Sequence, residues 1–216
     1  MSIQLSYEDS KWLEVPRSFP TATDETQQAW EDRIILGMRQ TWDMSHDQEL
    51  MARGGLKHGV ERVQPEDSIT LQFWPLAAPA NVIVHVTVGV LAEGEQMDAV
   101  PLQSGTYVGV PVIDPFTTSS LGDGLEVRYL AAIESDTPLA LGGINYLFRN
   151  ESAYVTVVAE ATLPMLVGLL LEPLREVVRS IQVTDVAGGR WEPATLDPTV
   201  ITSISSKERW TIDESR

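Results

Sequence analysis

The side chains of this 216-residue chain best suited to base or metal chemistry near neutral pH are its three histidines, His46, His58 and His85. A zinc site needs three or four converging ligands, and the helical His-x-x-x-His pair is absent. The short His/acid spacings are His46-x-x-Glu49 and His58-x-x-Glu61, which arise readily by chance among 31 acids. His85 lies inside a valine-rich alternating segment and reads as a hydrogen-bonded sheet residue. Arg53-Gly-Gly-Leu-Lys-His-Gly59 has the glycines and the lysine of an anion cradle, but neither the spacing nor the closing Lys-Ser/Thr of a phosphate loop. It reads as a turn that ends a helix. No Gly-x-Ser-x-Gly elbow occurs, and the chain has no cysteine, so cysteine nucleophiles, thiolate metal sites and disulfides are excluded. The residues define no catalytic set, no metal site and no cofactor site, and the expectation is a protein that binds rather than catalyses.

Candidates for binding lie elsewhere. Asp114-Pro-Phe-Thr-Thr-Ser-Ser-Leu-Gly-Asp123 reads as a recognition loop between strands, with Asp114, Phe116 and Asp123 as its partner-binding residues, or else as an ordinary long hairpin connection. Trp210 and Ile212, two residues apart in an otherwise polar end, form a second candidate contact. The tryptophans Trp12, Trp30 and Trp42, with His46 and His58, support a competing reading: a small-molecule carrier or enzyme with its pocket between sheet and helix.

Charge narrows the partner. The net charge is −16, and between Asp67 and Asp136 there are nine acids and one base, Arg128. A middle of that sign repels nucleic acid and anionic membrane, and reads either as a solubilising charge or as an acidic face that steers a basic protein partner. The longest apolar run on a helix, Leu163 to Leu171, is nine residues, whereas a bilayer span takes about 20; it reads as a buried helix, so no membrane span is expected. With no secretory pattern at the N-terminus and no cysteine, the expected location is the cytoplasm.

The elements that would position these residues follow from periodicity. Ile3 to Tyr7 alternates as a strand, continued by Trp12 to Val15 and closed by Pro16. Thr23 or Asp24 caps a helix to Trp42 whose stripe is Trp30, Ile34, Met38 and Trp42. Ser45 caps a second, short helix that Gly54-Gly55 would end. Beyond Pro65 the period changes to two: Ile69 to Trp74, then Asn81 to Leu91, apolar on both faces and hence central, then Tyr107 to Val112 and Leu125 to Ile133. Ile144, Tyr146 and Phe148 face one way on the next strand, Val155, Val157 and Ala159 on its successor, with Arg149 to Ser152 as the turn. Leu166, Leu170, Leu174 and Val177 form the stripe of a closing helix, and Ser180 to Val183 is a last strand. The fold class is therefore α+β, a mainly antiparallel curved sheet of about six or seven strands flanked by helices. Residues 1–184 form the domain, and 185–216 a polar extension in which Val200 to Ile204 could pair along a sheet edge.

This order of elements resembles the PsbP-like superfamily. The resemblance is carried by an early strand with Tyr7, Trp12 and Pro16, a helix, a strand meander, Gly143-Ile-Asn-Tyr-Leu-Phe-Arg149, Ala153-Tyr-Val-Thr-Val-Val-Ala159, a closing helix and Ser180-Ile-Gln-Val183. It implies an antiparallel sheet between helices and a non-catalytic binding or assembly role. The chain has no lipobox cysteine, unlike lipoprotein members, and no residues transfer from the Ran-binding members.

Overall fold

The computed structural model describes residues 1–75, 80–91, 106–133, 139–184 and 188–193. Their strands are β1 (Ser2–Gln4), β2 (Trp12–Glu14), β3 (Ile69–Phe73), β4 (Val82–Val90), β5 (Thr106–Tyr107), β6 (Val112–Thr118), β7 (Gly122–Ile133), β8 (Leu139–Arg149), β9 (Ala153–Ala159) and β10 (Gln182–Thr184); the helices are α1 (Gln27–Thr41), α2 (His46–Arg62) and α3 (Pro164–Ser180). The main sheet runs β2-β3-β4-β9-β8-β7-β5, with β6 sharing the β7 edge below β5, and every pairing is antiparallel. The expected α+β class is what the chain adopts. One expectation fails at the start: β1 and β2 do not continue one another, because β1 pairs with β10 in a separate two-stranded ribbon while β2 pairs with β3.

The period-two pattern sorts side chains onto two faces. On one, Leu71, Phe73, Val84, Val86, Ile144, Tyr146, Phe148, Val155 and Val157 are buried together with Leu166, Leu170, Leu174 and Val177 of α3. This is the main core, and α3 supplies it from the predicted stripe. On the other face α1 and α2 pack over β2 and β3, where Trp30, Ile35, Ala52, Leu56 and Trp74 are buried with Leu13 beside them and Gln72 bonded to the Gly55 carbonyl. The first part of β4 is buried on both faces, with Val82, Val84 and Val86 in the main core and Ile83 on the other side, whereas Thr87, Gly89 and Val90 are not fully covered.

Two local readings are corrected. The α2 helix begins as predicted, with Ser45 Oγ accepting from the Gln48 backbone amide and the Ser45 amide donating to Gln48 Oε1. It does not stop at Gly54-Gly55 but runs to Arg62. The reason is packing: a Cβ on Gly55 would lie 2.6 Å from Asn81 Nδ2 and 2.8 Å from Trp74 Cη2, and one on Gly59 would meet the Gln72 amide at 3.2 Å. Glycines one turn apart let α2 settle onto the buried Gln72, whose Nε2 donates to the Gly55 carbonyl. The second correction is the stretch from Asp114 to Asp123, which is strand, tight turn and strand. Residues 112–118 pair with 122–128, and Gly122 takes φ 78° at the turn. Pro115 is tolerated because β6 is an edge strand with β7 on one side only.

Of the C-terminal extension, 188–193 is described and belongs to the core layer: Trp191 is buried, its amide donates to the Val183 carbonyl and its Nε1 to the Leu121 carbonyl. The core closes past Val183.

Candidate functional site

The histidines do not converge. His46 and His58 are exposed at different positions along α2, and among the described residues no group of three His, Asp or Glu could hold a metal ion. His85 is bonded at both ring nitrogens, Nδ1 to Asp67 Oδ2 at 2.7 Å and Nε2 to Glu160 Oε1 at 3.2 Å. Asp67 Oδ2 also accepts from Thr70 Oγ1 and the Gln64 amide, and Glu160 Oε1 accepts from Arg62 Nε at 2.6 Å. Burial alone would depress the His85 pKa, but the hydrogen bonds and charges of Asp67 and Glu160 outweigh it and push it up to about 9. Neither ring nitrogen is left to move a proton, so the group works as a charged staple joining the α2 end, β4 and the β9 end.

A second ionic cluster lies under α3. Glu126, 1% exposed, is gripped by Arg175 through Nε–Oε2 and Nη2–Oε1 bonds of 2.7 Å each, and Oε2 accepts from the Tyr146 hydroxyl at 2.8 Å. Arg128 approaches Glu126 Oε1 at 3.1 Å and donates to Asp114, while Arg175 also donates to Glu172. Burial opposes the charge on Glu126, but Arg175 and Tyr146 hold its carboxyl below the usual range. Burial and the neighbouring Glu126 push the Tyr146 hydroxyl up. Every carboxylate here has a fixed partner, an arrangement that pins a helix to a sheet.

Of the predicted binding residues, the three that are described, Asp114, Phe116 and Asp123, do not form one exposed surface. Phe116 is 8% exposed and packs against Tyr146 and Phe148, with the Arg179 guanidinium 5.2 Å from its ring centre. Asp114 faces α3 and binds Arg128; Asp123, at the β6–β7 turn, accepts from Thr117. Trp210 and Ile212 lie outside the described residues, as does Val200 to Ile204. Of the four described acids between Asp67 and Asp136, Asp67 and Glu126 are internal, so their charge is spent inside the fold.

What the surface offers instead is apolar. The run Leu163 to Leu171 is buried along one stripe alone: Leu163, Met165 and Leu169 stand 47%, 70% and 44% exposed. Beside them, between α3 and the β5–β6 edge, is a groove of about 240 Å³ lined by Val108, Val110, Val112, Leu130, Pro164 and Val167. The close approach of α3 here rests on Gly142, where a Cβ would lie 2.9 Å from Val167 Cγ2. The reading of this run as wholly buried is corrected on that account. A signal was present in the sequence: a stripe at 166, 170, 174 and 177 satisfies the sheet, and the leucines and methionine between those positions are surplus to it.

Two other depressions lie at the N-terminal part of the described chain. One of about 930 Å³ runs along β1 and the segment after it, open, mostly polar and lined by none of the buried atoms that lack a partner. The other is a cleft of about 260 Å³ between α1 and β2, lined by Trp12, Trp42, Trp74, Ile34, Gly37 and Met38. Trp30, expected in the same pocket, is instead 2% exposed in the core under α1.

No protein-family model, curated protein or solved structure matches the chain. Among the described residues no helix is long and apolar enough to cross a membrane.

Proposed function

We propose that this protein is a non-enzymatic interaction module that docks a partner protein on the apolar surface formed by the first half of α3 and the β5–β6 edge. The observation that supports it is the charge-free Leu163–Leu171 run, which presents Leu163, Met165 and Leu169 to solvent next to a valine-lined groove. Apolar side chains clustered in this way mark contact surfaces more often than chance exposure does. The PsbP-like resemblance, which rests on the order of elements, points to the same role.

The partner's chemistry follows from the borders of the patch. One and two turns beyond Leu169 the same helix face carries Glu172 and Glu176, both exposed. Below them Asp114, Glu126 and Glu172 share two guanidiniums, Arg128 and Arg175, which leaves one negative charge over. With −16 on the whole chain, the fitting occupant is a segment with large apolar side chains and basic flanks. The acidic surface expected from the sequence thereby becomes the rim, with the apolar patch at the centre.

Photo-crosslinking tests this reading. A benzophenone side chain at Met165 should give an adduct with another protein, and one at Leu50, exposed on α2, should not. Adducts between copies of the chain alone would assign the patch to a homodimer, and the absence of any adduct would overturn the proposal.

A further inference from the structure

We infer that the apolar groove between α3 and the β5–β6 edge is also the docking site of the chain's own C-terminal segment, Lys207 to Ile212, which seats Trp210 there and competes with the partner. This inference rests on the docking surface proposed above and names a competitor carried by the same molecule. The sequence singles the segment out. Among the residues outside the described set, the one aromatic side chain is Trp210, with Lys207 and Arg209 just before it and Ile212 two residues on. Large apolar side chains beside basic ones are the chemistry that the patch and its acidic rim fit.

Exit point and length suit the contact. Trp191 fixes the exit: its amide donates to the Val183 carbonyl and its Nε1 to the carbonyl of Leu121, in the β6–β7 turn. From that turn β6 runs back to Val112, a wall of the groove, over about 20 Å at the usual strand rise. Pro193, the last described residue, precedes Trp210 by 17 positions, which reach up to about 55 Å when extended. The segment therefore spans the hairpin with length to spare, and the tether presents it to the groove at a roughly millimolar effective concentration.

The groove also matches the guest in size and sign. Its volume of about 240 Å³ exceeds the roughly 150 Å³ that houses a benzene ring, so one indole fits between Val112, Leu130 and Val167 and leaves the exposed Met165 and Leu169 to Ile212. The other tryptophans of this chain are packed: Trp12, Trp30, Trp74 and Trp191 are buried, and Trp42 lies against the α1–α2 core. Glu172 and Glu176, exposed beyond Leu169, complement Lys207 and Arg209. Glu208 offsets one of these bases, and Asp213 and Glu214 follow Ile212. The self-contact is chiefly apolar for that reason, and a more basic partner displaces it.

The test titrates a fluorescent peptide copying Ser206 to Ser215 into the full chain and into full-length Trp210→Ala/Ile212→Ala. The variant is expected to bind the peptide at least about tenfold more tightly than the wild type, because its own segment no longer fills the groove. Adding Met165→Glu/Leu169→Glu, both at exposed positions, should then weaken the peptide at least about tenfold. Equal affinity for wild type and Trp210→Ala/Ile212→Ala, or binding undiminished by the two glutamates, would overturn the inference. A wild-type dimer in sedimentation that Trp210→Ala/Ile212→Ala dissolves would assign the contact to a neighbouring copy and overturn it equally. The docking proposal is judged apart, with library-selected basic peptides. If these bind the patch of Trp210→Ala/Ile212→Ala while the Ser206–Ser215 copy does not, the self-contact falls and the partner site stands; if neither binds there, both fall.

Discussion

Asp67 Oδ2 lies 2.7 Å from His85 Nδ1, and this contact begins a chain of charges that runs through Glu160 and ends at Arg62. The His85 pKa is raised from 6.5 to about 9, so the stabilisation it provides is complete below 6.5 and is lost as pH rises through 9; its size is on the order of 3 kcal/mol. The carboxyls of Asp67 and Glu160 are lowered. Their contribution is present above their unfolded pKa values and fades as pH falls through the folded ones. Urea midpoints measured from pH 4 to 10 should show a plateau near pH 5–6.5 and an alkaline decline. The decline should vanish in His85→Leu, and a His85→Leu profile that still falls between pH 7 and 10 would assign it to another group.

The Glu126–Arg175 pair predicts a non-additive result. Removing Arg175 takes both of its hydrogen bonds from a buried carboxylate and leaves it with Tyr146 and the ion pair to Arg128, which Asp114 shares, so Arg175→Met should cost about 3 kcal/mol in a denaturation experiment. Glu126→Gln combined with Arg175→Met should cost clearly less than the two single changes added together. Additive losses would mean that the two side chains do not act as a pair.

Adjacent glycines on α2 should respond with opposite signs. Gly54 has open space around it, and Gly54→Ala should stabilise by up to about 1 kcal/mol through helix propensity. Gly55→Ala drives a methyl against Asn81 and Trp74 and should destabilise by about 1–3 kcal/mol. If both substitutions raise the thermal midpoint, α2 is not seated on Gln72 and Trp74 as described.

Much of this architecture was legible in the residues, and the failures share a cause. The alternation of Ile144, Tyr146 and Phe148, the stripe through Leu166, Leu170, Leu174 and Val177, and the Ser45 cap each carry their own local signal, and each holds. The readings of Gly54-Gly55 as a helix end and of Asp114 to Asp123 as a loop failed because contacts distant in sequence decide both: α2 meets Gln72 and Trp74 where it carries no side chain, and β6 pairs along the β7 edge. The buried partners of Glu126 could not be foreseen, since Arg175 meets it across 49 residues of chain. Charge counting misread Asp67 and Glu126 as surface for the same reason. The excess of apolar side chains from Leu163 to Leu171 was visible, but it takes the placed helix to show which of them face water.

The most direct test of the docking proposal is equilibrium binding of peptides selected from a random library on the wild-type protein, measured again on Met165→Glu/Leu169→Glu. The account predicts selected sequences with large apolar residues beside lysine or arginine and affinity that weakens at high salt. It also predicts a loss of at least about tenfold in the double variant, since burying each of these side chains is worth about 1.5–3 kcal/mol. Peptides that bind the double variant as tightly as the wild type would contradict it and place the contact surface elsewhere on the molecule.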